Sequence, residues 1–471
     1  MRHAISIESR KTLEDWGALR RRAFRLSAEN FAAYLAFRHR DLRRMQMGLM
    51  PFGLSSFGRS EARVFASLDA VLASLKAING EHAHYPHARA FFRGERLLHR
   101  NTAEIFGEPP SGRYTRIMVT LATDAAADPT VVAKLMAAGM DCARINCAHD
   151  DPAAWRAMAH NIRTAEKRLG RTCKICFDLA GPKVRTVDVQ VPQTEHRIKS
   201  GDSILFVTAL QPDEHAFPVQ FTSSIPSVLQ QLRPGTPVWI NDGKIGCTVE
   251  EQSASRAVLR VTHARPKGER LRPEKGLNFP TLALSDASLT REDRKNLDVV
   301  APLADMIGYS FVREAEDVVA LQRALCEVLP GSPPLPIVLK IETARAVMNL
   351  PDLIVAAARG NPTAVMIARG DLAIEIEYRR LAEIQEEMLW LCEAAHVPVV
   401  WATEVLDRFI KDGKPSRAEF TDAAASGRAD CVMLNKGPFV VEAVEVIGDV
   451  LHRMEAHQNK KTPLLRALKS W

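Results

Sequence analysis

Long apolar segments and signal-like segments are missing from this 471-residue sequence, and its cysteines include no complete metal-binding motif. No segment offers the roughly 18 consecutive apolar residues that a membrane-spanning helix needs. The first residues, MRHAISIESRK, lack the apolar core of a secretory signal. The eight cysteines are scattered, mostly within apolar segments, where a free thiol behaves as a small hydrophobic side chain. We therefore expect no membrane span and a location in the reducing cytoplasm, where a chain of this length needs no disulfides.

The metal-binding motifs formed by cysteine and histidine are incomplete. Cys173 and Cys176 make one C-x-x-C pair without the second pair that a structural zinc site requires. His82, His84 and His87 surround a proline in a segment typical of a solvated loop. For both groups we favour the simpler interpretation, a buried strand for the cysteines and an exposed loop for the histidines.

Charge is unevenly distributed along the chain. There are 63 Lys and Arg residues against 56 Asp and Glu residues, a formal net charge of +7. Residues 1–63 contain 13 basic and six acidic residues, which accounts for the whole excess. A basic segment can bind nucleic acid or acidic lipid, but no nucleic-acid motif with interleaved aromatic residues accompanies the charge here. We therefore expect a solvated helical surface rather than a nucleic-acid or membrane partner.

The pattern of apolar residues divides the chain into a helical segment and a longer α/β part. Residues 1–112 show helical spacing and end in Pro-Pro-Ser-Gly, which is typical of a domain boundary. From residue 116 onward, short apolar segments alternate with amphipathic helices, which predicts a parallel (β/α)8 TIM barrel. The eight expected strands are Ile117–Leu121, Cys142–Asn146, Cys173–Asp178, Asp305–Gly308, Pro336–Glu342, Ala364–Ala368, Val397–Trp401 and Asp430–Leu434.

One segment interrupts this alternation. Residues 188–282 contain short β-rich runs, among them Ile204–Ala209 and Ala257–Thr262, separated by Gly, Pro, Asp and Asn. We expect a small β-barrel domain inserted after the third strand, at the barrel mouth where a lid belongs. The expected domains are an N-terminal helical extension (1–112), a first part of the barrel (113–187), the inserted lid (188–282), a second part of the barrel (283–460) and a C-terminal tail (461–471).

Charged residues stand at the ends of several expected strands, where the reactive groups of such barrels lie. Lys340 and Glu342 share one face of a strand because they are two residues apart, and Asp371 follows the next strand. An ammonium and two carboxylates at one mouth suit a Mg²⁺ site beside an anionic substrate. Structural ion pairs across the barrel are the alternative, which the clustering of the whole set at strand ends disfavours.

Neighbouring residues also suit an anionic substrate. Arg144 and Arg185 can hold a phosphoryl group through charge-assisted hydrogen bonds. Gly370 lets the backbone approach a ligand closely, and Asp371 opens a helix whose N–H groups can hold an anion.

At these residues the sequence resembles the pyruvate kinase family, over roughly residues 114–460. Residues 142–150 (CARINCAHD) resemble the family's A-R-x-N-x-S-H segment, and residues 366–376 (MIARGDLAIEI) resemble its most specific one. The other matching segments are residues 177–186 (FDLAGPKVRT), 241–244 (NDGK), 275–280 (KGLNFP), 339–342 (LKIE), 401–403 (WAT) and 415–419 (PSRAE). Residues 1–112 have no counterpart in the usual family pattern, and we expect that the family's C-terminal regulatory domain has no counterpart in the 37 residues, 435–471, after the eighth strand.

The resemblance implies phosphoryl transfer between phosphoenolpyruvate and ADP, giving pyruvate and ATP, with Mg²⁺ or Mn²⁺ as the divalent ion. It implies that Lys340 and Arg144 act on the phosphoryl group and that Thr403 lies where the enolate is protonated. Glu342 and Asp371 would hold the divalent ion, and the backbone of Gly370 and Asp371 would meet the substrate carboxylate. The residues implied near the nucleotide phosphates are Arg144, Asn146, His149, Arg185 and Lys275.

The sequence departs from the family at the monovalent-cation site, which uses four side-chain oxygens. The corresponding residues here are Asn146, Ala148, Asp178 and Leu179, so two oxygens are missing. The family's usual glutamate after Gly-Pro is Lys183. Because an ammonium is a fixed positive charge, we expect a degenerate site of Asn146, Asp178 and Lys183 and activity that does not require K⁺.

Two other functions stay open at this point. A metal-dependent pyruvate lyase or aldolase also stabilises a pyruvate enolate with a divalent ion and two carboxylates. A non-catalytic relative that binds or regulates another protein is the second alternative. The lid and Lys340 argue against the lyase, and the intact set of Lys340, Glu342 and Asp371 argues against the binding protein. Assembly into a homo-oligomer is also left open.

Overall fold

The computed structural model describes residues 1–192, 196–211, 215–282 and 287–464. Residues 465–471 of the expected tail therefore lie outside the described residues, as do residues 193–195 and 212–214 of the expected lid and 283–286 of the expected barrel.

The described strands fall into one closed barrel, one open sheet and a short terminal ladder. In chain order they are β1 Arg116–Thr120, β2 Cys142–Asn146, β3 Lys174–Asp178, β4 Thr186–Gln190, β5 Ser203–Val207, β6 Gln220–Ser223, β7 Pro237–Ile240, β8 Ile245–Gln252, β9 Arg256–His263, β10 Leu277–Asn278, β11 Met306–Tyr309, β12 Ile337–Ile341, β13 Thr363–Ala368, β14 Val399–Ala402, β15 Cys431–Leu434, β16 Gln458–Asn459 and β17 Thr462–Pro463.

Eight parallel strands close the barrel in the order β1-β15-β14-β13-β12-β11-β3-β2. The predicted (β/α)8 fold is confirmed, and each barrel strand begins and ends within two residues of its expected bounds. The strands read as continuous apolar runs because both faces are buried, one against the surrounding helices and the other inside the barrel. Cys176 belongs to this interior, so it packs as an apolar side chain.

Helices precede the barrel and alternate with its strands. They are α1 Arg2–Trp16, α2 Arg25–Arg38, α3 Arg43–Leu49, α4 Val64–Ile78, α5 Ala88–Phe91, α6 Arg93–Phe106, α7 Asp124–Ala127, α8 Pro129–Ala138, α9 Pro152–Leu169, α10 Val228–Gln231, α11 Arg291–Val300, α12 Ala315–Val328, α13 Ala344–Met348, α14 Leu350–Ala358, α15 Arg369–Ile376, α16 Tyr378–Ala394, α17 Asp407–Asp412, α18 Arg417–Ser426 and α19 Val440–Glu455. Short 3₁₀ turns lie at Arg22–Phe24, Met50–Phe52, Ser55–Gly58, Glu61–Arg63 and Ala301–Leu303. None of the described helices is long and apolar enough to cross a membrane.

Several of these helices begin at residues whose side chains accept hydrogen bonds from the first turn. Asp151 accepts from the backbone N–H groups of Ala153 and Ala154 at the start of α9. Capping boxes start α11, with Thr290 and Asp293, and α18, with Ser416 and Glu419. Such caps satisfy N–H groups that have no partner inside the helix, and so they fix where each helix starts.

The N-terminal helices close the lower mouth of the barrel, where the strands begin. Ile105 and Phe106, at the end of α6, are 1% exposed and join the interior cluster of the barrel. His396, between α16 and β14, bonds Ser27 and Ala62 of the N-terminal segment at 3.0 Å each. These contacts make residues 1–112 part of the barrel's own packing rather than a loosely attached extension.

The inserted segment forms a seven-stranded mixed sheet in the order β10-β7-β8-β9-β5-β6-β4. It has its own hydrophobic cluster, including Phe206, Phe221 and Leu259. Three of its strands, β4, β6 and β10, were not among the expected ones. They are short, and β4 is exposed at two of its five positions, so their apolar pattern is weak.

Candidate active site

The inward-facing side chains of the barrel form an apolar layer below and a polar, mostly charged layer above. Met118, Cys142, Cys176, Met306 and Val338 belong to the buried interior. Side chains alternate along a strand, so the residue two positions later lies on the same inward face. Those next residues are Thr120, Arg144, Asp178, Gly308 and Lys340. Four of these five strands thus carry a polar side chain to the C-terminal mouth, and β11 contributes Gly308.

Lys340 lies at the centre of this charged layer. Its Nζ lies 3.1 Å from Asp178 Oδ2 and 3.2 Å from Glu342 Oε1, and it donates to Ser310 Oγ at 2.6 Å. Burial by itself lowers the pKa of a lysine, but the negative charges of Asp178 and Glu342 raise the pKa of Lys340 above its ordinary value. The ammonium is therefore held in its charged form.

Asp178 is fully buried and is shared between two cations. Arg144 Nε donates to Asp178 Oδ2 at 2.7 Å, opposite Lys340. Burial opposes ionisation, but the charges of Lys340 and Arg144 lower the pKa of Asp178 below its ordinary value. A Cβ at Gly308 would lie 2.6 Å from Asp178 Oδ1, so glycine on the neighbouring strand makes room for this carboxylate.

Glu342 turns its carboxylate toward the same mouth. Its Oε2 accepts a hydrogen bond from Phe311 N at 2.7 Å. Burial raises the pKa of Glu342, and the negative charge of Asp371 adds to that rise against the opposing effect of Lys340. Glu342 and Asp371 are therefore close enough for their charges to repel, as two ligands of one cation must be.

Asp371, in the first turn of α15, is held by residues of the lid and its connections. Lys183 Nζ lies 2.8 Å from Asp371 Oδ1 and 3.0 Å from Oδ2. The same ammonium lies 3.8 Å from Asp242 of the lid. Asn278 Nδ2, at the end of β10, donates to Asp371 Oδ1 at 3.4 Å. The position of the lid therefore determines what surrounds this acid.

Gly370 and Thr403 meet beside Asp371. Gly370 N donates to Thr403 Oγ1 at 2.7 Å. Thr403 has a φ of 65°, which a β-branched residue rarely adopts. Arg369 supports this backbone by donating to Thr403 O at 2.7 Å while it pairs with Asp422. Backbone held in an unfavourable region of this kind is typical of functional sites.

The residues expected near the nucleotide lie toward the lid connections and the β2 loop. The backbones of Arg185 and Gly276 form an isolated antiparallel β-bridge, and Lys275 N donates to Thr186 Oγ1 at 2.9 Å. Arg185 and Lys275 therefore lie on neighbouring antiparallel segments. Partial burial, followed by the positive charges of Lys436, Arg185 and Arg144, lowers the pKa of His149. These residues form one basic surface outside the charged layer.

The three residues expected at the monovalent-cation site have separate partners. Asp178 pairs with Arg144 and Lys340, whereas Lys183 pairs with Asp371. The side-chain oxygen of Asn146 accepts a hydrogen bond from Ala148 N at 3.1 Å. The Lys183 ammonium thus lies on the side of the mouth where the divalent ion was expected.

Sequence reasoning missed four residues of the site. Ser310 directly follows β11, so its position at a strand end was a usable signal. Arg369 precedes the singled-out Gly370, but its contact with Asp422 spans 53 positions. Asn278 lies in the quoted segment 275–280 but was given no role, and both Asn278 and Lys436 reach the site only through the tertiary fold.

The charged layer is electrically balanced before any ligand binds. Three carboxylates, of Asp178, Glu342 and Asp371, face three cations, of Arg144, Lys340 and Lys183. Most of these side chains are buried, so each charge acts in a medium that screens it weakly. Such an arrangement can stabilise charge that moves between oxygen atoms, provided that the incoming anion brings its own counter-cation.

Comparison with known proteins agrees with this geometry. Residues 112–444 match the family model for the barrel domain of pyruvate kinase. A pyruvate kinase of Agrobacterium vitis is 30% identical over 364 residues, which is 76% of this chain and 72% of the relative. One from Geobacillus stearothermophilus is 31% identical over 73% of this chain and 57% of its own length. One from Clostridium acetobutylicum is 28% identical over 70% and 68%, respectively. The barrel, its charged mouth and these matches together establish that the chain belongs to the pyruvate kinase family, a family of phosphotransferases.

Proposed function

We propose that this protein transfers a phosphoryl group between phosphoenolpyruvate and ADP, giving pyruvate and ATP, with Mg²⁺ and without a requirement for K⁺. The observation that carries the proposal is the buried ammonium of Lys340, held between Asp178 and Glu342 at the barrel mouth. Phosphoryl transfer needs positioning and charge stabilisation more than a nucleophile of the protein, and this site offers fixed charges.

Lys340 and Arg144 act on the phosphoryl group and on the enolate in this proposal. Both cations are anchored by Asp178, so their positions do not depend on the substrate. Fixed cations of this kind stabilise charge on the transferred group without having to reorganise during the reaction. Arg144 adds planar, paired N–H donors that suit phosphate oxygens.

Glu342 and Asp371 are the residues that would hold Mg²⁺. Mg²⁺ usually takes one or two carboxylates and completes its shell with water and substrate oxygens. The donor set fits, because both groups are carboxylates and they lie close enough for the charge of Asp371 to raise the pKa of Glu342. When bound, the ion supplies positive charge against the oxygens of the substrate.

The substrate carboxylate and the enolate have separate places. The backbone of Gly370 and Asp371 lies at the start of α15, where N–H groups can hold a carboxylate; the Gly370 N–H, which donates to Thr403 Oγ1, would exchange that partner for the substrate. Thr403 accepts a hydrogen bond from Gly370 N, so its own hydroxyl hydrogen stays available for donation toward the enolate carbon. Proton delivery to pyruvate is therefore assigned to the Thr403 side of the mouth.

The nucleotide is assigned to the basic surface toward the lid. Arg185 and Lys275 come from the two connections of the lid, and His149 and Asn146 come from the end of β2. The positive charges of Arg185 and Lys275, with the hydrogen-bonding groups of His149 and Asn146, suit the phosphates of ADP. The chain's eight cysteines are all unpaired, which suits the cytoplasm as its compartment.

Independence of K⁺ rests on Lys183. Its side chain lies in the mouth and carries a fixed positive charge where the family uses glutamate. With Ala148 and Leu179 offering no side-chain oxygen, a potassium ion has few ligands here.

A direct assay tests the proposed reaction and the role of K⁺. The purified full chain is incubated with phosphoenolpyruvate, ADP and Mg²⁺, in tetramethylammonium chloride or in KCl, while pyruvate and ATP are measured. We expect ATP and pyruvate in equal amounts and the same rate in both salts. A rate that depends strongly on KCl would refute the assignment to Lys183. Pyruvate released only by cleavage of a keto acid would favour the lyase, and binding without turnover would favour a regulatory protein.

A further inference from the structure

A cavity lies behind the charged mouth, between the lid connections and the barrel. Its volume is about 520 Å³, within the ~300–1,000 Å³ range of small-molecule sites. One wall consists of the two connections of the lid, residues 182–184 and 277–282. The other wall consists of residues at the ends of β11, β12 and α15. Lys340, Glu342, Asp371 and Thr403 do not line it, but Lys183 of the charged layer does, so the cavity adjoins the proposed substrate site without coinciding with it.

The walls of the cavity are mainly apolar. The apolar side chains that line it are Val184, Leu277, Phe279, Leu282, Phe311 and Met348. Met348 is 76% exposed and marks the rim, whereas Leu277 and Phe279 are buried at the back. An apolar body of a ligand would therefore displace water from surface that is already arranged to receive it.

Two polar groups in this wall have only part of the partners that buried groups usually have. Asn278 is 5% exposed, and its Oδ1 has no hydrogen-bond partner among the described residues. Glu375 also lines the cavity; it accepts hydrogen bonds from Asn278 and from the backbone of Ala344, but it forms no ion pair among the described residues. Burial is the main cause that raises the pKa of Glu375 to about 7. A ligand group that donates hydrogen bonds and carries a positive charge would satisfy both Asn278 Oδ1 and the Glu375 carboxylate.

The cations in the same wall do not meet this need. Lys183 is engaged by Asp371 and Arg345 by Glu314, and Arg313, which also lines the cavity, has an interaction of its own. None of the three forms an ion pair with Glu375 among the described residues, so the Glu375 carboxylate is left to attract a cation.

We propose that this cavity binds a small molecule with an apolar body and one protonated amine. The amine donates to Asn278 Oδ1 and to the Glu375 carboxylate, and the body packs against Leu277, Phe279 and Phe311. Because Asn278 Nδ2 donates to Asp371, the occupant also acts on the proposed metal-binding acid. Occupancy therefore changes the Michaelis constant for phosphoenolpyruvate, a consequence that rests on the proposed function, whereas binding itself does not.

Three probes of one skeleton test the chemistry of the ligand on the full chain without substrate. Phenethylamine carries the cation, 2-phenylethanol replaces it with a neutral hydroxyl, and 3-phenylpropionate replaces it with an anion. Dissociation constants are measured by ligand-observed NMR titration. We expect phenethylamine to bind about tenfold more tightly than 2-phenylethanol, or ~1.4 kcal/mol, and 3-phenylpropionate to bind more weakly than both. Equal binding of the three, or no binding of phenethylamine, overturns the proposal.

Variants locate the binding site. Glu375→Gln removes the acid's charge and should weaken phenethylamine about tenfold, whereas Glu377→Gln, at an exposed acid just after α15, should leave binding unchanged. Met348→Trp changes an exposed rim residue, so the fold is kept while the cavity entrance narrows. Unchanged phenethylamine binding in both Glu375→Gln and Met348→Trp would show that the amine binds elsewhere. If phenethylamine binds but does not change the Michaelis constant for phosphoenolpyruvate, only the proposed coupling to Asp371 is refuted.

Discussion

The lower and upper mouths of the barrel are made by the same eight strands and differ in the side chains that fill them. At the lower mouth, Ile105 and Phe106 fill the opening and join the apolar interior. At the upper mouth, Arg144, Asp178 and Lys340 continue the same inward faces as charged groups. The two mouths also differ in the protonation of one buried base each. Burial keeps His396 neutral at the lower mouth, whereas ion pairs keep Lys340 charged at the upper mouth.

This contrast separates stability from chemistry within one fold. The lower mouth is closed by packing, by the neutral hydrogen bonds of His396 and by ion pairs such as Lys460–Asp430, so its residues contribute mainly to the free energy of unfolding. The upper mouth holds buried charges that contribute little net stability, because desolvation offsets their attraction. Substitutions at the two ends should therefore affect different measurements.

The largest effect is expected at the upper mouth. Lys340→Met should lower kcat by about 10³–10⁴-fold, because it removes a preorganised charge from the proposed phosphoryl site. The measurement is the initial rate of pyruvate formation, with the melting temperature followed in parallel. Lys295→Met, at an exposed lysine of α11, is the matched control and should keep full activity. A folded Lys340→Met protein with near-normal kcat would contradict the division between the two mouths.

The next effect is expected at the lower mouth. Phe106→Ala should reduce the free energy of unfolding by ~3–5 kcal/mol, because it leaves a cavity at a side chain that is 1% exposed. Denaturant titration measures it, and kcat of the folded fraction should stay within about twofold of the original value. Phe52→Ala, at a phenylalanine that is 59% exposed, should change stability by less than about 0.5 kcal/mol. A loss of kcat without a loss of stability would mean that the lower mouth takes part in the chemistry.

The smallest effect concerns acid stability. Burial lowers the pKa of His396 from 6.5 to about 4. The group is therefore neutral in the folded protein, and Nε2–H donates to Ala62 O while Nδ1 accepts from Ser27. The folded state binds fewer protons than the unfolded chain between those two pH values, so the stability that His396 contributes is complete above pH 6.5 and is lost as pH falls toward 4, by up to ~3 kcal/mol.

A pH series of denaturant titrations on the original chain and on His396→Gln checks this. The difference in unfolding free energy between the two proteins should shrink as pH falls from 7 to 4. His160→Gln, at an exposed histidine of α9, should run parallel to the original chain. A constant difference across the series would show that His396 does not link the N-terminal helices to the barrel through its neutral form.

Local periodicity predicted the barrel because the formation of each barrel strand depends on residues that are close together in the sequence. Runs such as Cys142–Asn146 are apolar on both faces, and their spacing between helices gives a parallel closed sheet. The same two-residue period predicted that Lys340 and Glu342 lie on one face of a strand, and Lys340 Nζ lies 3.2 Å from Glu342 Oε1. The weak strands β4, β6 and β10 were missed, since short, partly exposed or two-residue strands have little pattern.

The sequence by itself thus determined the eight barrel strands, the family and the acids and bases at the strand ends, because each depends on short-range alternation or on contiguous motifs. Only the tertiary structure decided what those groups contact. Lys183 meets Asp371 across 188 positions, and His396 meets Ser27 across 369. Such pairings follow from how the lid, the helices and the barrel pack together, and no local spacing encodes a distance between segments that are brought together only by folding.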